Sequence, residues 1–178
     1  MNIDGTLDTS FNVDVDNTIY GLAVQSDDQI MIGGFMNGEG NGALKNAIAR
    51  LNANDGTKDY TFSQNTGLND QVFSIALQSD GKTIIGGSFT AFNGVSQNKI
   101  IRVNDDGVND TSFTIGTGFN DSVKSIAVQS DGKIIVGGNF TQYNGQSVNR
   151  LIRLNTDGSK DASFYTGTGF NSTVQAIQ

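Results

Sequence analysis

Large apolar side chains alternate with small or polar ones in short stretches of the chain. One such stretch, Val72 to Gln78, has the period of two that is typical of a half-buried β-strand. The Asp80-Gly81 pair that follows predicts a hairpin turn, because these residues tolerate the positive φ that tight turns require. A return strand is predicted over residues 83–87, a third strand over 98–104 and a short fourth strand over 111–114. No window shows the 3.6-residue period of a helix, so the fold class is predicted to be all-β.

The same landmarks recur along the whole chain. An Asp-Gly-x-x-Asp-x-x-Phe motif begins at Asp4, Asp55, Asp106 and Asp157, which sets a period of 51 residues. A Gly-Gly pair recurs in the second strand of each unit and predicts a close backbone approach or a β-bulge. Antiparallel units of three to four strands at this period predict a β-propeller-like array, with three full units and a partial fourth in a single domain over residues 1–178. A parallel β-helix is the competing architecture, but its coils do not return through Asp-Gly hairpins.

These motifs resemble the delta-60 repeat family of bacterial and phage proteins. The likeness rests on the Asp-Gly-x-x-Asp-x-x-Phe motif, on the Ile-Ala-x-Gln-Ser-Asp-Gly-Lys strings that begin at Ile75 and Ile126, and on Arg-Leu-Asn. It covers residues 2–178, although the first copy has Asp27-Asp28-Gln29 in place of Asp-Gly-Lys. The resemblance implies a β-propeller-like fold and an occurrence in secreted bacterial surface proteins or phage structural proteins, without a common catalytic activity.

Composition narrows the function. The chain has 18 acidic and 11 basic residues, a formal net charge of −7, which argues against nucleic-acid binding. No apolar stretch approaches the roughly 20 residues of a membrane span, so no membrane insertion is expected. The absence of Cys and His removes the thiol nucleophile, the usual general base and the commonest metal ligands. We therefore expect no catalytic residues, no cofactor and no metal site.

The charged and aromatic residues that recur in every unit have structural interpretations. Asp is favoured before Gly in turns for backbone reasons, although calcium binding by the Asn/Asp-Gly turns stays open. The predicted strands contain Arg50, Arg102 and Arg153. Each arginine is expected to form an ion pair with a recurring Asp, either of its own unit or of the neighbouring unit. A ring of ligand-binding cations at the propeller axis is the alternative. The recurring aromatic residues are expected to pack as wedges between units: Phe11, Phe62, Phe113 and Phe164.

Positions that differ between the copies are the better candidates for binding. One set lies in the loop that holds the only Glu of the chain. The other set consists of aromatic and amide groups, which stack on and hydrogen-bond to sugars. Ordinary variation of loops explains both sets as well. The predicted binding residues are Asn37, Glu39, Asn41, Phe92, Asn93, Gln97, Tyr143, Asn144 and Gln146.

These observations predict a non-enzymatic structural and binding module, exposed on a phage virion (tail or fibre type) or on a secreted bacterial surface protein. Its expected location is extracellular or at the virion surface, and its expected contacts are proteins or surface glycans. A propeller-type glycoside-active enzyme that uses paired Asp residues is the alternative.

The C-terminal residues raise an expectation about assembly. A fourth unit opens at Val174, and Gln178 is aligned with Gln129, just before the turn of a complete unit. The edge formed by Val174 to Gln178 would then be unpaired, which favours association. We expect the chain to be part of a longer polypeptide or assembly, in which other subunits or further repeats pair with this edge.

Overall fold

The computed structural model describes residues 3–13, 18–36, 47–62 and 67–178. The named elements in these ranges are all β-strands, as the alternating pattern predicts. None of the described segments is a helix that could cross a membrane. The first unit contains β1 (Ile19–Val24), β2 (Ile30–Gly34) and β3 (Ile48–Leu51). The second contains β4 (Val72–Leu77), β5 (Thr83–Gly87), β6 (Ala91–Phe92), β7 (Val95–Ser96) and β8 (Ile100–Val103). The third contains β9 (Val123–Val128), β10 (Ile134–Gly138), β11 (Gln142–Tyr143), β12 (Gln146–Ser147) and β13 (Leu151–Leu154).

Each unit is built on a three-stranded antiparallel sheet. The sheets have the orders β1-β2-β3, β4-β5-β8 and β9-β10-β13, so the first strand of each unit lies at an edge. These first strands, here called the inner strands, lie side by side, because β4 contacts both β1 and β9. In the second and third units the chain forms a small hairpin, β6-β7 or β11-β12, between the second and third strands in sequence. The units are therefore successive blades of a β-propeller-like array, as predicted.

The short fourth strand predicted over residues 111–114 is wrong. These residues lie in a turn, and the segment before them meets β8 at one isolated bridge, between Val103 and Asn109. The carboxylate of Asp110 accepts a hydrogen bond from the backbone nitrogen of Ser112 at 3.0 Å. This side-chain turn bends the chain away from an extended conformation.

The Gly-Gly pair of each second strand allows the next unit to approach closely. A Cβ atom on Gly86 would lie 2.5 Å from Cγ1 of Val123, and one on Gly87 would overlap the carbonyl oxygen of Gln71. The inner strand carries a β-bulge opposite this pair in all three units. Both expectations for the pair, a close approach and a bulge, are confirmed. A Val and an Ile from each following inner strand occupy the space that the glycines leave free.

The hydrophobic core lies between neighbouring sheets. One cluster joins the first and second units and includes Met31 and Ile85, and another joins the second and third units and includes Ile84 and Ile134. Strand β5 therefore buries Ile85 on one face and Ile84 on the other, as the period of two requires. Because each core is shared by two units, a unit depends on its neighbours for its stability.

Residues 174–178 continue the row of inner strands. The backbone nitrogen of Ile177 donates to a serine hydroxyl of the preceding inner strand at 3.0 Å, as the backbone nitrogen of Ile126 does at 3.0 Å. Ile177 therefore takes the place of Ile126. The expected alignment of Gln178 with Gln129 is wrong, because Gln178 occupies the position of Ala127 in the third unit.

Candidate functional site

The recurring arginines lie in the third strand of each sheet. Each one donates from its Nε atom to the carboxylate of an Asp in its own unit. The predicted ion pairs are confirmed, with N–O distances of 2.7 Å for Arg50–Asp59, 2.8 Å for Arg102–Asp110 and 2.8 Å for Arg153–Asp161.

Two of the same guanidinium groups also join neighbouring units. Nη1 of Arg50 donates to the carbonyl oxygen of Asp105 at 2.7 Å, and Nη1 of Arg102 donates to the carbonyl oxygen of Thr156. Both acceptors lie at the Asp-Gly turn of the following unit. The Arg102 guanidinium carbon lies 4.7 Å from the ring centre of Phe113, and this ring packs against the turn glycine of the following unit, as a wedge would. These arginines use their donors to hold adjacent units together.

A lysine adds a second cation to two of the carboxylates. Nζ of Lys133 lies 2.9 Å from Oδ2 of Asp161, and Nζ of Lys82 lies 2.9 Å from Oδ2 of Asp110. The hydrogen bond from Lys133, with others, holds the pKa of Asp161 well below its usual range. Burial opposes ionisation of Asp110, but the hydrogen bonds from Ser112 and Lys82 outweigh it and the pKa of Asp110 is also lowered. These carboxylates are therefore ionised and paired at neutral pH.

The first unit lacks this second cation. Gln29 stands at the position of Lys82, and its Oε1 atom is buried with no hydrogen-bond partner among the described residues. Asp28 stands at the position of the turn glycine and has a φ of 65°, in the left-handed region that glycine favours. Arg50 is the one cation within ion-pair distance of Asp59 in the described part of the chain. The buried charge of the first unit thus depends on a single arginine.

The Asp-Gly turns form as predicted. Gly56, Gly107 and Gly158 have φ values of 72°, 81° and 89°. The carboxylate of Asp55 accepts a hydrogen bond from the backbone nitrogen of Thr57 at 2.9 Å, and this bond, followed by that from the Thr57 hydroxyl, lowers the pKa of Asp55. No group of three Asp, Glu, His or Cys side chains within the described ranges is arranged to hold a metal ion. The turn carboxylates stabilise the backbone of their own turns.

The structure describes six of the nine predicted binding residues. Asn37, Glu39 and Asn41 lie outside the described residues. Phe92 and Tyr143 are buried in the small hairpins, where the Tyr143 hydroxyl donates to the carbonyl oxygen of Gly158 and burial raises the pKa of Tyr143. Gln146 is exposed.

The three other amide side chains take part in hydrogen bonds of the fold. Oδ1 of Asn93 accepts from the backbone nitrogen of Gly67 at 2.8 Å, and Oδ1 of Asn144 accepts from that of Thr117 at 3.2 Å. Both Asn residues have a positive φ and precede a glycine, which is typical of two-residue hairpin turns. Gln97 donates to the carbonyl oxygen of Ile100 at 2.9 Å. A binding role for these residues stays a prediction.

A surface cleft of about 690 Å³ brings three of the predicted residues together in the third unit. Tyr143, Asn144 and Gln146 line it, together with Lys160 and Tyr165, which are not among the predicted binding residues. The Tyr165 side chain is 90% exposed. The signal that could have found it is a departure from the repeat, since the second unit has Thr at the same position, after the recurring Phe.

Two further clefts lie between the Gln-Ser-Asp segments at the ends of neighbouring inner strands. One, of about 600 Å³, is lined by Gln25, Asp27 and Asp80, and the other, of about 780 Å³, by Gln78 and Gln129. Neither was predicted, because each forms only where two copies of one motif come side by side. The cleft occurs twice because the same two segments lie side by side at both contacts between units.

The bulged residue of each inner strand differs between the units. Tyr20 and Phe73 occupy this position in the first and second units, with ring centres 5.4 Å apart. Lys124 occupies it in the third unit, and its Nζ atom lies 3.4 Å from the ring centre of Phe73. Burial lowers the pKa of Lys124, while Asp121 opposes this shift. The inner strands therefore carry a row of variable side chains on a constant backbone.

The repeated sheets, the bulges and the arginine hydrogen bonds between units define a β-propeller repeat protein. The sequence profile of the DUF5122 β-propeller family, a domain of unknown function, matches residues 25–62, 78–113 and 129–164. The chain belongs to this family, and the match confirms the resemblance to the delta-60 repeats. No curated protein sequence matches the chain.

Proposed function

We propose that the chain is a non-enzymatic repeat module that presents binding surfaces on a phage virion or a secreted bacterial surface protein. The observation that carries this proposal is the cleft of the third unit. The exposed ring of Tyr165 lies there with Gln146 and Lys160. Aromatic rings stack on sugar rings while amide and ammonium groups hydrogen-bond to hydroxyl groups, so the cleft suits a glycan.

The charged residues of the array support a binding module over an enzyme. The buried carboxylates of Asp110 and Asp161 are paired with two cations each. Glycoside hydrolysis needs one carboxylic acid with a raised pKa beside an ionised carboxylate. The pKa values of both buried carboxylates are instead lowered.

The cleft is tested by glycan binding to the full chain. Saturation-transfer NMR against a panel of oligosaccharides is expected to show contacts that Tyr165→Ala removes. Tyr60→Ala is the matched control, because Tyr60 is exposed too, at 73%, but lies outside this cleft. Loss of binding with both variants, or with neither, would contradict the assignment.

The enzyme alternative has its own readout. The same oligosaccharides, incubated with the chain, are expected to release no product. Turnover that disappears on a single Asp→Asn replacement would establish a propeller-type glycoside-active enzyme instead.

We infer that residues 174–178 are the place where other subunits or further repeats of a larger assembly pair. These residues lie beside β9, and Val174 donates to the carbonyl oxygen of Gly138 at 3.3 Å. In the three described sheets a second strand pairs with the inner strand, and none does so here among the described residues. Light scattering of the native protein is expected to give a mass above 18.8 kDa, and a stable monomer without a partner would contradict this inference.

A further inference from the structure

The N-terminal segment and β1 form a partly exposed surface at the position where each later unit contacts its predecessor. We call it the front face and define it by Asp8, Phe11, Ile19 and Leu22. We propose that the front face is a docking site for one further β-sheet unit of the same type, which contributes an arginine and a Gly-Gly pair. This proposal rests on the function as a repeat module proposed above.

Asp8 has the local geometry of the buried carboxylates in the later units. Its Oδ1 atom accepts from the Ser10 backbone nitrogen at 2.9 Å and from the Ser10 hydroxyl at 2.6 Å. Asp110 accepts the equivalent bonds from Ser112 at 3.0 and 2.7 Å. Asp110 also binds Arg102 at 2.8 Å, whereas no described cation lies within ion-pair distance of Asp8. The front face therefore has the acceptor of the ion pair without its arginine.

Phe11 confirms that this segment occupies the place of a preceding unit. Its ring would lie 3.1 Å from a Cβ atom on Gly56, as the ring of Phe113 would lie 3.2 Å from one on Gly158. The backbone nitrogen of Asn12 donates to the turn of the first unit at 2.9 Å, and the equivalent bond in the third unit measures 2.8 Å. In the second unit an arginine covers the equivalent ring, so an arginine fits over Phe11 in the same way.

The apolar part of the front face matches a Gly-Gly pair. The Ile19 side chain is 38% exposed, while Val72, at the same position of the second unit, is fully buried over Gly33. Leu22 is 60% exposed, while Ile75 at its position packs over the same glycine. Charge and shape therefore both indicate a unit of this repeat type as the occupant.

The test adds such a unit to the full chain. A copy of residues 119–156 replaces residues 1–3, which puts the copied arginine eight residues before Asp8, as Arg153 precedes Asp161. The extended chain is expected to melt at a higher temperature than the original. Asp8→Asn is expected to lower the Tm of the extended chain by about 5 °C or more beyond the change that it causes in the original chain through the Ser10 hydrogen bonds.

Asp4→Asn is the matched control, because Asp4 makes the same kind of turn with Thr6 but lies outside the front face. It is expected to change both chains equally. Equal effects of Asp8→Asn in both chains would overturn the proposal. So would a dimer of the original chain that Asp8→Asn dissociates, because a second copy would then be the occupant.

A second substitution tests the same ion pair from its other side. Arg153→Met in the copied unit is expected to lower the Tm of the extended chain as Asp8→Asn does, and the two replacements together are expected to cost less than the sum of the single ones, because both act on one ion pair. Full additivity of the two losses would overturn the proposal. Fast amide hydrogen exchange throughout the added unit, with the rest of the chain protected, would overturn it as well, because the added unit would then not be docked. Glycan binding at the third unit is independent of this result, so the two proposals can fail separately.

Discussion

Replacing Arg50 by methionine tests whether one cation neutralises the buried charge of the first unit. Methionine keeps much of the volume over the ring of Phe62 and removes the guanidinium. The carboxylate of Asp59 is then left buried, with hydrogen bonds from Thr61 and no cation among the described residues. This is the arrangement that costs most when one partner of a buried ion pair is removed.

The same replacement at Arg102 is the internal comparison. It leaves Asp110 paired with Lys82 at 2.9 Å. Stranding a buried charge costs about 3–5 kcal/mol, whereas losing a hydrogen bond to a charge that keeps a partner costs about 1.5–3 kcal/mol. Arg50→Met is therefore expected to lower the free energy of unfolding by about 2 kcal/mol more than Arg102→Met. For a chain of this length the difference is about 4–8 °C in Tm.

Thermal and urea unfolding at neutral pH measure the two losses. Gln29→Lys in the Arg50→Met background is expected to recover part of the stability, because it places a cation where Lys82 stands in the second unit. The deficit of Arg50→Met is expected to shrink as the pH falls, because burial raises the pKa of an unpaired Asp59 and its protonation removes the stranded charge. Equal losses for the two arginines, or no recovery with Gln29→Lys, would refute the reasoning.

Three further predictions concern the turns, the Gly-Gly pairs and acid stability. Gly87→Ala is expected to cost about 3 kcal/mol or more, because its Cβ would overlap the carbonyl oxygen of Gln71. Gly81→Ala has nothing within 4 Å and is expected to cost about 1 kcal/mol for its positive φ; the reverse order of urea midpoints would contradict both. Asp28→Gly is expected to raise Tm by relieving about 1 kcal/mol of strain, and a lower Tm would show that the side chain contributes more than the strain costs. Since the pKa of Asp161 is lowered, the stability from this carboxylate is present above pH 4 and is lost as the pH falls. Asp161→Asn should flatten the dependence of Tm on pH below 4, and an unchanged slope would argue against its pairing.

Much of the fold could be predicted because each sequence motif recurs in several units. The Asp-Gly turns, the alternating strand before them and the Gly-Gly pair recur in order, so local preferences agree with the array. The fourth strand at 111–114 was wrong because Asp110 satisfies the backbone locally and turns the chain. The hairpins β6-β7 and β11-β12 were missed because each strand has two residues, too few for a period. The Asn-Gly pair at Asn93 was the available signal, and it was interpreted as variable loop chemistry.

The candidate sites were harder to predict than the fold. Residue type suggested Asn144 and Tyr143 as sugar contacts, but type does not reveal that an amide is needed at a positive φ or that a ring is buried. The exposed Tyr165 enters the cleft through long-range packing, which one sequence does not show. The front face illustrates the same limit, since the sequence displays Asp8 as one more copy of a motif. That no arginine of the described residues pairs with it is visible only in the three-dimensional arrangement of the units.

The contact between successive units joins two unlike surfaces. One unit contributes a glycine hollow, and the next inserts a Val and an Ile into it, so neither surface fits a copy of itself. A contact of this kind is heterologous, and repeating it moves each added unit through the same rotation. Growth through it therefore has two outcomes, a ring that closes on itself or a filament that continues without end. The rotation between neighbouring units, across a contact as close as that of the Val123 side chain with Gly86, thereby decides how many units such an assembly can hold.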